Sequence, residues 1–321
     1  MKSNMRLKSR ESSDIAVLIP CYNEESSIEA VVQGFRASIP EALIYVYDNN
    51  STDGTAERAA RAGAIVRREP RQGKGNVVRR MFADIDAEVY VMVDGDGTYD
   101  ASAARSLVAE LVTNKLDMVT GARKTDWEQY RRGHRFGNVL LTGLVTMVFG
   151  RLTEDMLSGY RVFSRRFVKS FPLLTTGFEI ETELTIHALD MRMPIGELET
   201  AYSDRAPGSV SKLSTFRDGF RILGLIGVLI KEERPLAFFG GVGLVLLFVA
   251  LGLATPIVMT YRETGLVPRF PTAILATGLV ILSVLSGVCG LILDTVTHGR
   301  REAKRMKYLE YPAPALPAFI P

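Results

Sequence analysis

Two aspartates separated by one glycine, Asp94-Gly95-Asp96, follow the short apolar run Val91-Met92-Val93. Such a run reads as a β-strand, and residues two apart on a strand point to the same side, so both carboxylates can reach one site. Paired hard oxygen ligands at a strand tip suit Mg²⁺ or Mn²⁺, ions that also bind a diphosphate. The next same-side position is Thr98, where the acidic alternation stops, and Asp100 is given no role. Much further along, Pro235–Tyr261 and Phe270–Leu293 are uncharged, and each exceeds the roughly 20 residues a helix needs to cross a bilayer. A metal–diphosphate site on a soluble domain that is tied to a membrane implies an enzyme whose second substrate is a lipid.

The elements that must position these residues alternate. Strand-like runs at Ile15–Ile19, Leu43–Tyr47, Ala64–Arg67, Val89–Val93 and Met118–Thr120 are separated by helix-like segments at Ser26–Phe35, Thr55–Ala62, Asn76–Ile85 and Ala101–Val112. This alternation predicts an α/β domain with a mostly parallel sheet over residues 14–212, preceded by a disordered tail at residues 1–13. In such sheets ligands gather at the carboxyl ends of the strands. The loops Cys21–Glu25, Asp48–Asp53 and Asp94–Asp100 each follow a strand and are therefore expected to meet in space.

Val139–Phe149 is apolar but too short to span, and reads as a buried or membrane-facing helix. In residues 213–234, Leu213, Phe216, Phe220, Leu223 and Ile230 recur at helical spacing, which predicts an amphipathic juxtamembrane helix. A two-helix transmembrane hairpin is expected over 235–297, then a basic tail over 298–321, irregular beyond Tyr308. Lys231 and Arg234 flank one side, and Arg300, Arg301, Lys304, Arg305 and Lys307 the other, against Arg262 and Arg269 between the spans. The excess of cations on the outer flanks places the catalytic domain and both termini in the cytoplasm, at the plasma (inner) membrane. Gly240, Gly241, Gly243, Gly252, Gly278, Gly287 and Gly290 allow close helix packing and suggest a homo-oligomer, guessed as a tetramer.

Composition narrows the class. A formal charge of +3 over 321 residues gives no case for nucleic acid. The two cysteines, Cys21 and Cys289, lie one in the soluble part and one in an apolar stretch, so no structural disulfide is expected. The polar, basic N-terminus has no apolar core and is not a secretory signal. His134, His187 and His298 show no metal-ligand spacing and read as incidental.

Four motifs occur in order. Pro20-Cys21-Tyr22-Asn23-Glu24 closes the first strand, and Asp48-Asn49-Asn50-Ser51-Thr52-Asp53-Gly54-Thr55 the second. Asp94-Gly95-Asp96 closes the fourth, and Asp155-Met156-Leu157-Ser158-Gly159-Tyr160-Arg161 lies beyond. Together they resemble family 2 glycosyltransferases of the Rossmann-like GT-A fold. Among these the chain looks most like the polyprenyl-phosphate glycosyltransferases, a group that includes dolichol-phosphate mannose synthases and undecaprenyl-phosphate glucosyltransferases.

The resemblance implies that Pro20, Tyr22, Glu24 and Asp48 line the nucleotide pocket, with Asp48 toward the base. The family often has two aspartates at 48–49 and glycine at 50; here positions 49 and 50 are both asparagine. Asp94 and Asp96 would hold the metal and diphosphate, with Asp96 the direct ligand. In Gly73-Lys74-Gly75, which opens a helix, Lys74 is a candidate phosphate contact. Asp155 would lie beside the acceptor, as a general base or as an orienting group that stabilises positive charge at the sugar carbon. A phosphate monoester has a second pKa of about 6 and needs no base at neutral pH. Ser158, Gly159 and Arg161 belong to the same stretch, with Arg161 a candidate phosphate contact.

Glu179, Glu181 and Glu183 alternate, and Glu181 is the preferred substrate contact among them. Arg205-Ala206-Pro207-Gly208-Ser209-Val210-Ser211-Lys212 resembles the family's Arg-x-x-Gly-x-Ser-Lys element with one extra residue. Arg205, Ser211 and Lys212 would bind the lipid phosphate or the donor diphosphate, while Arg131, Arg132 and Arg135 are less specific candidates. The implied reaction is inverting transfer of one sugar from a UDP- or GDP-sugar to undecaprenyl or dolichyl phosphate. The alternatives are a polysaccharide-building family 2 enzyme and a non-catalytic nucleotide-sugar-binding membrane subunit. The first usually carries a Gln-x-x-Arg-Trp element, and the only tryptophan here is Trp127, in Asp126-Trp127-Glu128-Gln129.

Overall fold

The structure, a computed structural model, describes residues 14–124, 155–172, 180–203, 224, 227–228, 231–232 and 234–315. Several expectations lie outside the described residues: the tail at 1–13, the helix at Val139–Phe149, most of the amphipathic helix, Trp127, Arg131, Arg132, His134, Arg135, Glu179, Arg205, Ser211 and Lys212.

Seven strands form one sheet: β1 (Ile15–Cys21), β2 (Leu43–Asp48), β3 (Ile65–Arg68), β4 (Val89–Met92), β5 (Met118–Lys124), β6 (Arg161–Ser164) and β7 (Ile195–Ala201). Their spatial order is β3-β2-β1-β4-β6-β5-β7. β1 pairs in parallel with β2 and β4, as do β2 with β3 and β5 with β7, whereas β6 runs antiparallel to both β4 and β5. The sheet is therefore mostly parallel, with one reversed strand. The chain leaves β1 toward β2 and β3, then returns to place β4 on the other side of β1. That reversal is a topological switch point, where the carboxyl ends of two strands part and leave a crevice.

The first five strands lie where the sequence predicts them, because strands buried on both faces read as apolar runs. Alternate residues point to opposite faces. Val17, Ile19, Val46, Val89, Val91, Val119 and Val162 share one core with α1 (Ile28–Ser38) and α4 (Ala104–Thr113). On the other face, Leu18, Tyr45, Tyr90, Met92 and Phe163 pack with α3 (Lys74–Asp84), α5 (Arg165–Ser170) and α6 (Ile180–Asp190). A further short helix, α2 (Thr55–Arg61), follows β2. Fully burying one such Val, Leu or Phe side chain contributes about 1.5–3 kcal/mol, so the sheet and its two helical layers form the rigid base beneath the loops.

β6, β7 and α5 are not expected from the sequence. β6 opens on Arg161, whose side chain is fully buried. Its guanidinium donates to Ser158 O (2.9 Å), Met156 O (2.6 Å) and Thr185 Oγ1 (2.8 Å). A buried cation this well bonded is a pillar that ties the segment before β6 to α6. This corrects the expectation that Arg161 reaches a substrate phosphate, because no part of it is open to a ligand.

The chain divides into two compact units. The first comprises residues 1–223 with 304–321, and the second residues 224–303. In the second, α7 (Pro235–Thr264) and α8 (Phe270–Leu309) are both long and apolar enough to cross a membrane. They approach at small residues: a Cβ on Gly243 would lie 3.0 Å from Ser283 O, and one on Gly290 would lie 3.2 Å from the Phe239 Cβ. Ser283 Oγ and Ser286 Oγ donate across the pair to Gly243 O and Phe239 O, both at 2.8 Å. The remaining glycines of the expected set, Gly240, Gly241, Gly252, Gly278 and Gly287, face open space. Helix α8 runs to Leu309, beyond the expected start of the basic tail at residue 298.

Candidate active site

The loops after β1 and β2 are joined by polar side chains. Asn49 N donates to Cys21 O (2.8 Å), Asn23 N to Ser51 Oγ (2.9 Å), Glu24 N to Thr55 Oγ1 (2.9 Å) and Glu25 N to Asp53 Oδ2 (3.2 Å). Asp53 Oδ1 accepts from Thr55 N (3.1 Å) and Thr55 Oγ1 (2.5 Å) at the start of α2. Partial burial alone would raise its carboxyl, but the bonds from Thr55 and Glu25 outweigh it and hold the pKa below the usual value. The loop after β4 joins the same cluster, since Ser27 Oγ donates to Gly95 O at 2.7 Å. The three loops expected to meet therefore do so, at the switch point.

Asp48 is buried at the end of β2, where its Oδ1 accepts from Ser51 N (3.2 Å). Glu24 is also buried, and Tyr22 is exposed. Asn49 and Asn50 explain their own departure from the family pattern. Asn49 Nδ2 donates to Glu69 O and Arg71 O, each at 2.8 Å, while its Oδ1 accepts from Gly73 N at 2.7 Å. A carboxylate could not make the two donations. Asn50 has φ of 64°, a left-handed conformation that glycine adopts freely and asparagine tolerates. The 69–73 segment that leads to Lys74 is thus held by β2's own loop.

Asp94 and Asp96 sit in the turn just beyond β4 rather than on it. Asp96 is buried, and its Oδ1 accepts from Thr98 N (3.2 Å) and Thr98 Oγ1 (2.7 Å). Asp94 Oδ1 binds Lys74 Nζ at 2.5 Å, and the same ammonium also bonds Glu181 Oε1. Burial alone would lower the Lys74 pKa, but Asp94 and Glu181 outweigh it and push it above the usual lysine range. The Lys74 charge is therefore taken up by two carboxylates, and it joins the loop after β4 to α6.

The donor set fits a Mg²⁺ or Mn²⁺ ion. Asp94 and Asp96 offer two hard oxygen donors from one short turn, which matches ions bound by one or two carboxylates plus substrate phosphates. The Lys74 ammonium shows that Asp94 accepts a cation, and Gly159 makes room for the Asp94 carboxylate itself, since a Cβ there would lie 2.3 Å from Oδ2.

Asp155 precedes β6 at the same edge of the sheet. Arg123, near the end of β5, grips it with Nε to Oδ2 and a terminal nitrogen to Oδ1, both at 2.7 Å. Asp155 N donates to Glu197 Oε1 on β7 (3.0 Å). The Arg123 guanidinium lies 5.5 Å from the Tyr202 ring centre. Burial alone would raise the Asp155 carboxyl, but the Arg123 bonds and charge hold its pKa below the usual carboxylate range. A carboxylate so held is a weak proton acceptor and a well-placed fixed charge.

Sequence reasoning does not find Arg123, Glu197 or the Lys74–Glu181 link. The only local sign of Arg123 is a cation closing a strand-like run. Glu181, expected as a substrate contact, bonds the Lys74 ammonium. His187 is buried among Phe167 and Phe171, outside the site.

Comparison with known proteins identifies the family. The model for glycosyl transferase family 2 matches residues 16–171. The glycosyltransferase AglJ of Haloferax volcanii is 32% identical over 92% of this chain and 98% of its own length. A dolichyl-phosphate hexose transferase of the same organism is 29% identical over 69% of this chain and 96% of its own. Glucosyl-3-phosphoglycerate synthase of Mycobacterium tuberculosis, solved with Mn²⁺, UDP-glucose and phosphoglyceric acid, superposes with a TM-score of 0.56 at 24% identity. That superposition covers 67% of this chain and 80% of the other. The chain belongs to glycosyl transferase family 2, with a catalytic domain of the GT-A fold and nucleotide-sugar transfer as its chemistry.

Proposed function

We propose that the protein transfers one sugar from a UDP- or GDP-sugar to a polyprenyl phosphate, undecaprenyl or dolichyl, and inverts the sugar's configuration. The observation that carries this reading is the union, in one chain, of a family 2 donor site with two membrane-length apolar helices. The relative named as a dolichyl-phosphate hexose transferase supports the acceptor class. Lys231, Arg234, Arg300, Arg301, Lys304, Arg305 and Lys307 outside the spans support a cytoplasmic catalytic domain at the plasma membrane.

The nucleotide would lie over Pro20, Tyr22, Glu24 and Asp48, at the loops joined by Asn23, Asn49 and Asp53. Asp94 and Asp96 would hold Mg²⁺ or Mn²⁺, which supplies charge neutralisation for the departing nucleoside diphosphate. The acceptor phosphate, largely ionised at neutral pH, would attack the sugar carbon in line from the side opposite the diphosphate. The new bond is phosphate oxygen to anomeric carbon, and the bond lost is anomeric carbon to diphosphate oxygen. Asp155, held ionised by Arg123, acts in this scheme as an orienting charge beside the sugar carbon rather than as a base. Arg205, Ser211 and Lys212 are the proposed lipid-phosphate contacts. Positioning and preorganised charge then supply the rate.

Purified full-length protein in detergent, given undecaprenyl phosphate, Mn²⁺ and a panel of nucleotide sugars, tests the reaction. The expected product is a lipid-linked monosaccharide from one donor, seen by mass spectrometry and β-linked by NMR. Asp96→Asn, which keeps an acceptor for Thr98, should abolish it. Polymer, or donor hydrolysis without a lipid product, would overturn the reading in favour of a polysaccharide-building enzyme.

A further inference from the structure

We propose that Lys74 is the resident counter-ion of Asp94, and that it makes divalent-metal binding dependent on the nucleotide. This deepens the metal-site reading above and rests on it.

Three features of the structure lead here. The Lys74 ammonium lies 2.5 Å from Asp94 Oδ1 and also bonds Glu181, and only about a tenth of the lysine side chain meets solvent. Its anchors come from far apart in the chain, the turn after β4 and the start of α6, and its own place at the N-terminus of α3 is set by Asn49, which holds Gly73 N. Flexible surface lysines do not have such a frame. Gly159 also packs against the Asp94 carboxylate and keeps it in place, since a Cβ there would lie 2.3 Å from Oδ2 and 3.0 Å from Oδ1.

The consequence follows from charge. One ammonium stands between two carboxylates, so the Asp94 charge is partly compensated by Lys74. A divalent cation arriving alone must compete with that ammonium for the carboxylate. A nucleoside diphosphate changes the balance because it offers Lys74 an anion in place of Asp94, so Lys74 can leave Asp94 and still hold two ionic partners, the diphosphate and Glu181. Metal and nucleotide therefore bind with positive coupling, and each raises the other's affinity by the same factor. Glu181 is a positioning residue in this scheme: it keeps Lys74 within reach of both places.

Mn²⁺ binding to the full-length protein in detergent, measured by the paramagnetic resonance of free Mn²⁺ with and without UDP or GDP, tests the proposal without turnover. The wild-type protein should bind Mn²⁺ weakly alone and much more tightly with the diphosphate. Lys74→Met should bind Mn²⁺ alone about tenfold more tightly and show about tenfold less enhancement by the nucleotide. Lys74→Arg, which keeps the cation, should behave like wild type. Where Lys74→Met fails to fold with Glu181 left unpaired, Lys74→Met/Glu181→Gln removes both charges and carries the same expectation. Should Lys74→Met bind Mn²⁺ alone no more tightly than wild type while Asp94→Asn binds it more weakly, the metal site stands and the role of Lys74 falls. Should neither Asp94→Asn nor Asp96→Asn alter Mn²⁺ binding, the metal-site reading falls and the proposal with it.

Discussion

Asp117 stands just before β5 and Arg123 near its end, and each is half of an arginine–aspartate pair. At the first end, Asp117 Oδ1 accepts from Ser164 Oγ (2.6 Å) and Arg166 Nε (2.5 Å), and Oδ2 accepts from Arg166 (3.0 Å) and Tyr308 Oη (2.8 Å). Its side chain is wholly shielded from solvent. At the other end, Asp155 holds Arg123 through both oxygens, and the two side chains keep 12% and 17% of their surface. The chemistry of the pairs is the same and their surroundings differ. The Asp117 pair has its oxygens filled by groups of the framework, at the amino end of a mostly parallel sheet. The Asp155 pair lies at the carboxyl end, where the strands of such sheets present ligands. A pair closed on itself contributes stability, and in the proposed reaction the pair at the open edge would fix a charge for a substrate.

Breaking the closed pair should give the largest effect. Asp117→Ala leaves Arg166 and Ser164 facing a void, and removing one partner of a buried pair costs about 3–5 kcal/mol. Chemical denaturation should show a loss of that size, while Mn²⁺ and nucleotide binding to the folded fraction stay unchanged. A loss confined to ligand binding would erase the contrast drawn here.

Breaking the open pair should act on function instead. Arg123→Met removes the grip on Asp155 but leaves the carboxyl buried. Sugar transfer should fall about a hundredfold, as when one preorganised polar contact is lost from an active site. The pH profile carries the sharper test. In the wild type the Asp155 carboxyl is held below its usual value of about 3.9, so its charge and the stability of the pair persist above that pH and fade only as pH falls through the lower native value. No acid limb from this group is expected between pH 5 and 8. Without the Arg123 guanidinium, burial is opposed only by the backbone N–H groups of residues 123 and 157 and by the Arg161 charge, so the pKa rises and an acid limb should enter the kcat/KM profile from below. An unchanged profile with reduced Tm would make Arg123 a framework residue like Arg166.

How far the sequence foretells this arrangement depends on the reach of each contact. β1 to β5 are legible because their apolar runs are local. β6 is not: it has four residues and starts on a charge, and it is held in the sheet's middle by Arg161's bonds to Met156, Ser158 and Thr185. β7 carries Glu197 and Glu199, which disguise it. The donor loops are legible from their turn residues, since Asn, Asp and Gly serve positive φ and short caps. The charge pairs are not legible, because Lys74 meets Glu181 across 107 positions and Arg123 meets Asp155 across 32. Spacing in sequence marks residues able to do chemistry; only the fold decides whether a cation such as Arg161 faces a substrate or holds up a strand.

The mildest cut sharpens the comparison most finely. Tyr308, in the last turns of α8, donates its hydroxyl to Asp117 Oδ2, and its ring lies 4.7 Å from the Arg166 guanidinium. Arg165 stands 5.2 Å from the Tyr311 ring, so two arginines of α5 face two aromatic rings of the C-terminal segment. Tyr308→Phe keeps the ring and its contact with Arg166 but deletes one of the four hydrogen bonds to Asp117. Asp117 Oδ2 retains Arg166, so the cost should be that of a single hydrogen bond, about 1 kcal/mol. It should appear as a small drop in stability together with faster amide exchange in residues 304–311. Sugar transfer should not change, because this hydroxyl belongs to the closed pair. A tyrosine whose loss slowed transfer while leaving stability intact would mean that the amino end of β5 also serves the reaction, and that the division between the two ends is wrong.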